Sequence, residues 1–117
     1  MGDSGAQEII AERVIPAKHE PTGRAVEVTL RCYAPSPDCG TAIGCEHEIL
    51  FDSQSVYRMT IVGIDGFQAI MLSMKSLTHQ ALLLMRGSEI THPPEYTRDL
   101  AAIGDALRSA MKPGDAK

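Results

Sequence analysis

Aromatic side chains are scarce in this sequence, which has no tryptophan, two phenylalanines and three tyrosines among 117 residues. The hydrophobic fraction is still 44%, an ordinary value for a globular protein. A packed core must therefore be mainly aliphatic, with six methionines as adaptable filler. The length is enough for one domain and too short for two independent cores.

Positive charge is also sparse. Eleven lysines and arginines stand against 15 acidic residues, which gives a formal net charge of −4. No cluster of basic residues occurs, whereas binding to nucleic acid or to anionic lipid depends on such a cluster. The composition therefore predicts neither nucleic-acid nor membrane partners.

Long apolar runs are missing as well. No run approaches the roughly 20 residues of a membrane span, and the first residues lack a basic segment followed by an apolar one. Three cysteines, an odd number in a chain without a secretory signal, favour reduced thiols. We therefore expect a cytoplasmic protein.

Four segments of the first half favour β-strands. The clearest is 25–33, where Val26, Val28, Leu30 and Cys32 alternate with more polar residues. The four segments are 7–18, 25–33, 45–51 and 57–63. Prolines and glycines between 35 and 44 predict a loop. Because short connections favour antiparallel neighbours, we expect a meander of about four antiparallel strands.

The second half has helical periodicity. Asp65 is placed as an N-cap with Gln68 three residues later, and Gly87 fits the position just past the helix end. Leu72, Leu82 and Leu83 widen the apolar surface of this helix. A helix apolar over more than one stripe is either deeply packed or shared with a partner.

A second amphipathic helix is predicted from about Pro94 to Met111. The sequence therefore predicts an α+β fold, with one long helix over the sheet and a further C-terminal amphipathic helix. We expect a single domain over residues 7–112, with flexible termini at 1–6 and 113–117.

Three cysteines and a histidine form the only cluster with metal-ligand chemistry: Cys32, Cys39, Cys45 and His47. The spacing lacks the C-x2-C pair typical of zinc sites, so we expect packed or loop thiols with no metal and no cofactor. Cys39 is the one cysteine expected to be exposed, but the neighbouring Asp38 would raise the pKa of a thiol there. No catalytic residue is predicted.

Acidic residues also recur along the predicted strands. Glu46 and Glu48 share a strand face, and Glu27 lies on a neighbouring strand. Arg31 and Arg58 are placed to pair with them. Such residues usually form the solvated face of an antiparallel sheet, which is the interpretation we adopt.

The turn that leads into the long helix resembles a known motif. The sequence contains Cys45-x-His47-x-Ile49 and then Gly63-x-Asp65-x-x-Gln68-Ala69-Ile70-x-Leu72. This pattern is similar to a small bacterial family of uncharacterised domains, in which a Cys-led strand precedes a G-x-D-x-x-Q-A-L-x-L helix. The similarity covers about residues 9–85. It implies a domain of this kind and no particular reaction.

Three functional hypotheses follow, of which the third is a zinc-stabilised domain, whose ligand spacing is unfavourable. The first is a non-enzymatic binding or interaction module with a protein partner, associating with itself through apolar helix faces. The alternative is a small enzyme or ligand-binding domain whose pocket lies between sheet and helix. Its candidate ligand-binding residues are Cys45, His47, Asp65 and Gln68.

Overall fold

The computed structural model describes residues 7–38, 40–94 and 96. These residues form an α+β fold in which an antiparallel sheet carries one long helix, α1 (Gly66–Gly87), on one face. The strands are β1 (Ile9–His19), β2 (Arg24–Tyr33), β3 (Ser36–Pro37), β4 (Ile43–Phe51), β5 (Gln54–Gly63) and β6 (Ile90–Thr91). The predicted fold class and the antiparallel sheet are confirmed.

Within the described residues the sheet has six strands, so the predicted number of about four is not confirmed. The long strands follow the order β1, β2, β4, β5, while β6 lies outside β1 and β3 continues beside β4. The additional strands, β3 and β6, have two residues each, too few to show a period in sequence. Of the predicted second helix, all but Pro94 and Tyr96 lies outside the described residues, as do both predicted flexible termini.

The hydrophobic core lies between α1 and the middle of the sheet. Its main cluster includes Ile15, Val28, Ile49 and Leu77, each at most 3% exposed. Val28 and Leu30 lie two residues apart on β2 and are both buried, as the alternation predicted. Within the described residues no helix, α1 included, combines the length and apolarity needed to cross a membrane.

The C-terminal end of α1 differs from the expectation. Gly87 is the last helical residue, Ser88 is the C-cap, and the left-handed position falls on Glu89, whose φ is 58°. The Ser88 and Glu89 amides donate to the carbonyls of Leu84 and Arg86. The Glu89 carbonyl accepts from the amide of Glu20, which ties the helix end to the β1–β2 turn. The prediction of Gly87 at this position was therefore wrong by two residues.

Replacing Glu89 with glycine is expected to stabilise the protein by about 0.5–1 kcal/mol, because glycine adopts a positive φ without the penalty of a Cβ. Urea denaturation at one protein concentration measures the change. Glu89→Ala is the matched control, since it removes the same charge and keeps the Cβ. An equal gain in both variants would contradict the backbone explanation.

Candidate functional site

Cys45 and its neighbour Cys32 lie in a small core cluster under the first turns of α1. Both are fully buried, and their sulfur atoms are 3.6 Å apart. The Cys45 thiol donates to the Tyr33 carbonyl at 3.2 Å. Burial, reinforced by Cys45, raises the pKa of Cys32 to about 12. Cys32 is therefore a protonated packing group and a poor nucleophile at neutral pH.

His47 lies further along β4 and is also fully buried. Its Nε2 is 3.2 Å from the Ser76 hydroxyl on α1, and its ring centroid is 5.7 Å from that of Tyr57 on β5. Among the described residues, the Nδ1 atom has no hydrogen-bond partner. Burial lowers the pKa of His47, and the nearby Glu46 carboxylate opposes that effect only partly. The imidazole is thus held in its neutral form.

Asp65 and Gln68 form the cap at the beginning of α1. The Asp65 carboxylate accepts a hydrogen bond from the backbone N–H of Gln68 at 2.8 Å, as the capping-box spacing predicted. The Gln68 side-chain oxygen accepts from the Ile64 amide, also at 2.8 Å. Both polar side chains are therefore engaged in hydrogen bonds to backbone N–H groups at the N-terminus of α1.

The four predicted ligand-binding residues do not come together in one site: Cys45 and His47 lie on β4, and Asp65 and Gln68 lie at the beginning of α1. His47 contacts Ser76, which follows Asp65 by 11 residues, a distance of about 16 Å along a helix axis. Cys45 is tied to α1 between them, since Ser73 donates to the Cys45 carbonyl at 2.8 Å. The structure thus joins Asp65 with Gln68 and places the other two in the packed core. In the described part of the chain no group of three or more Cys, His, Asp or Glu is arranged to hold a metal ion, and Cys39 lies outside that part.

A row of alternating charges crosses the opposite face of the sheet. Glu12, Arg31, Glu48 and Arg58 lie directly opposite one another on β1, β2, β4 and β5. Arg31 donates to Glu12 at 2.6 Å, and Arg58 bonds to Glu46 and lies 3.5 Å from Glu48. The expected pairing of Arg58 with the two β4 carboxylates is therefore present.

Glu48 departs from the expected solvated face, because it is only 4% exposed. The Tyr33 hydroxyl donates to its carboxylate at 2.6 Å. Burial tends to raise the pKa of Glu48, but hydrogen bonds from Tyr33 and Ser55 and the nearby Arg58 and Arg31 charges outweigh it and lower the pKa. The Glu48 carboxylate is thus ionised, and its hydrogen bonds and ion pairs within the row have a structural role.

Large apolar side chains remain exposed on β5, at the β5–α1 junction and on α1. Met59 is 47% exposed and Leu83 on α1 is 43% exposed, while Ile64 and Phe67 at the β5–α1 junction are 78% and 74% exposed. Sequence reasoning found Leu83 as part of a wide apolar helix surface. The expectation that the methionines fill the core was wrong for Met59.

Sequence reasoning also missed Ser76 and Tyr57 as the contacts of His47. The Tyr57 hydroxyl is 3.5 Å from that of Ser76, so the three side chains form one polar group between α1 and β5. The only sign of this contact in the sequence is a polar residue, Ser76, beside the wide apolar surface of the helix. Which strand Ser76 faces depends on how the helix packs on the sheet, and the sequence does not show that.

No protein-family model, curated protein or solved structure matches the chain. The resemblance to the small bacterial family of uncharacterised domains therefore stays a prediction.

Proposed function

We propose that this chain is a non-enzymatic interaction module that associates with itself. The observation that carries the proposal is the group of exposed apolar side chains at the β5 side of the fold, Met59 and Leu83 above all. Soluble proteins rarely expose contiguous apolar surface without a binding role. The side chains that could bind a ligand or take part in a reaction support the same proposal. Cys45, His47, Asp65 and Gln68 are all engaged in packing or capping.

Sedimentation equilibrium of the full chain over a concentration series tests the proposal. We expect a reversible dimer at tens of micromolar protein, with a dissociation constant that fits one monomer–dimer equilibrium. A strict monomer throughout the series would contradict self-association.

A further inference from the structure

We propose that two copies of the chain pair edge to edge through β5, forming one continuous antiparallel sheet with the two α1 helices side by side. This inference rests on the proposed function and names the surface that performs it. Pairing of the same strand from two copies about a two-fold axis uses one patch twice, as symmetric dimers do.

The two edges of the sheet are built differently. The β1 edge has Pro16 within the strand, a register shift between Ile9 and Ala11, and β6 alongside Lys18 and His19. Proline, bulges and short covering strands are the devices with which proteins prevent a further strand from adding to a sheet. The β1 edge is thus protected against pairing.

The β5 edge has little such protection. β5 is ten residues long and contains no proline, and among the described residues it pairs only with β4. It has one register shift, opposite Ile49 and Leu50 near its first residues, and from Tyr57 to Gly63 its register is regular. Its single charged residue, Arg58, reaches inward to Glu46 and Glu48 and lies 5.5 Å from the centre of the Tyr33 ring. Its charge therefore does not repel an approaching strand. The outward backbone groups of β5 are a template for strand addition.

Apolar side chains flank this edge on the helix side. Met59 lies opposite the buried His47 and therefore shares its face of the sheet. Leu83 is two turns after Ser76, whose hydroxyl is 3.5 Å from that of Tyr57, so Leu83 lies on the β5 side of α1. Leu72, one turn before Ser76, follows the same side. We call Met59, Leu72 and Leu83 the β5 flank.

A second copy fits this surface in its dimensions. With paired strands about 4.8 Å apart, the β4 strands of two copies would be about 14 Å apart. Because α1 packs mainly over β4, and also over β5 and β2, the two helices would be about 14 Å apart, a few ångströms more than the spacing of directly packed helices. The two β5 flanks would then meet across the axis.

The expected interface is also large enough for a stable dimer. A ten-residue strand is about 33 Å long, and a sheet with one helix layer is about 20 Å thick. The two copies would together cover about 1,300 Å² in projection, which is within the range of specific interfaces.

Three lysine substitutions at similarly exposed apolar positions test the surface. Met59→Lys and Leu83→Lys place a charge in the β5 flank, whereas Val14→Lys places one on the protected β1 side. The three wild-type side chains are 47%, 43% and 46% exposed, so all three variants should fold, which far-UV circular dichroism checks. We expect the first two to weaken the dimer at least about tenfold and the third to leave its dissociation constant unchanged.

Hydrogen exchange distinguishes strand pairing from contact through the helices alone. In the wild-type dimer, alternate outward amides of β5 should become protected as protein concentration rises, and Met59→Lys should abolish that protection. A wild-type monomer would overturn both the proposed function and this inference. A dimer that Val14→Lys disrupts, or one whose β5 amides remain unprotected, would overturn this inference alone.

Discussion

Replacing Gly63 with alanine is expected to lower the free energy of unfolding by about 2–3 kcal/mol, because the added methyl group has no room. A Cβ at Gly63 would lie 2.7 Å from the Ala69 nitrogen and 3.1 Å from its Cα. Those atoms belong to the first turn of α1, where the Ala69 amide donates to the Asp65 carbonyl. The clash cannot be relieved without moving the helix away from β5.

Gly87→Ala is the matched control for this variant. A Cβ at Gly87 meets nothing within 4 Å, and the residue is helical, so alanine there should be neutral or stabilising by up to about 1 kcal/mol. Urea denaturation of both variants at one protein concentration gives the comparison. Equal stability of Gly63→Ala and the wild type would show that the helix entry is looser than its geometry indicates.

The close approach at Gly63 gives the helix-entry motif a physical meaning. Gly63 makes room for the helix backbone, Asp65 caps the helix, and Gln68 reaches back to the Ile64 amide. Ala69, fully buried, keeps the first turn close to the sheet. Local hydrogen bonding determines the cap, so sequence alone predicted it. The clearance above Gly63 is a tertiary property that no local pattern reveals.

The same distinction separates the predicted strands from the missed ones. In β2, apolar alternation reports burial against α1 directly. β6 is two residues long and exists because the helix end brings Ile90 and Thr91 beside Lys18 and His19. Such a strand depends on where α1 ends in space, and the residue sequence carries little of that information.

The candidate site shows the same limit. In β4, Cys45 and His47 alternate with Glu46 and Glu48, and both Cys45 and His47 are fully buried. This alternation could not show that Ser76 faces His47, or that β5, which pairs with β4 alone in the described part of the chain, leaves Met59 exposed. Strand order decides which inward-facing residue is buried, and strand order is a non-local property.

Acidification from neutral pH is expected to destabilise the protein through His47. Burial holds the pKa of His47 below its ordinary value of 6.5, so the unfolded chain binds a proton more readily than the folded one. The contribution of neutral His47 to the free energy of unfolding is therefore fully present above pH 6.5. It is lost as the pH falls from 6.5 toward the lowered pKa of His47 in the folded state. The loss should approach, at most, about 1.4 kcal/mol per pH unit.

The carboxyl groups act in a separate range. Glu48 and Asp52 have lowered pKa values in the folded state, so their contribution is present above their ordinary values of 4.5 and 3.8 and is lost only in more acidic solution. Denaturation curves between about pH 7 and pH 5 therefore isolate the histidine contribution.

His47→Gln should remove the pH dependence in that range, because glutamine does not titrate. His79→Gln, at an exposed helix position, is the matched control and should retain the wild-type profile. Loss of the dependence in the control, or its persistence in His47→Gln, would assign the effect to another histidine. We expect His47 to be responsible because protonation of its buried Nδ1, which has no hydrogen-bond partner among the described residues, is costly in the folded state.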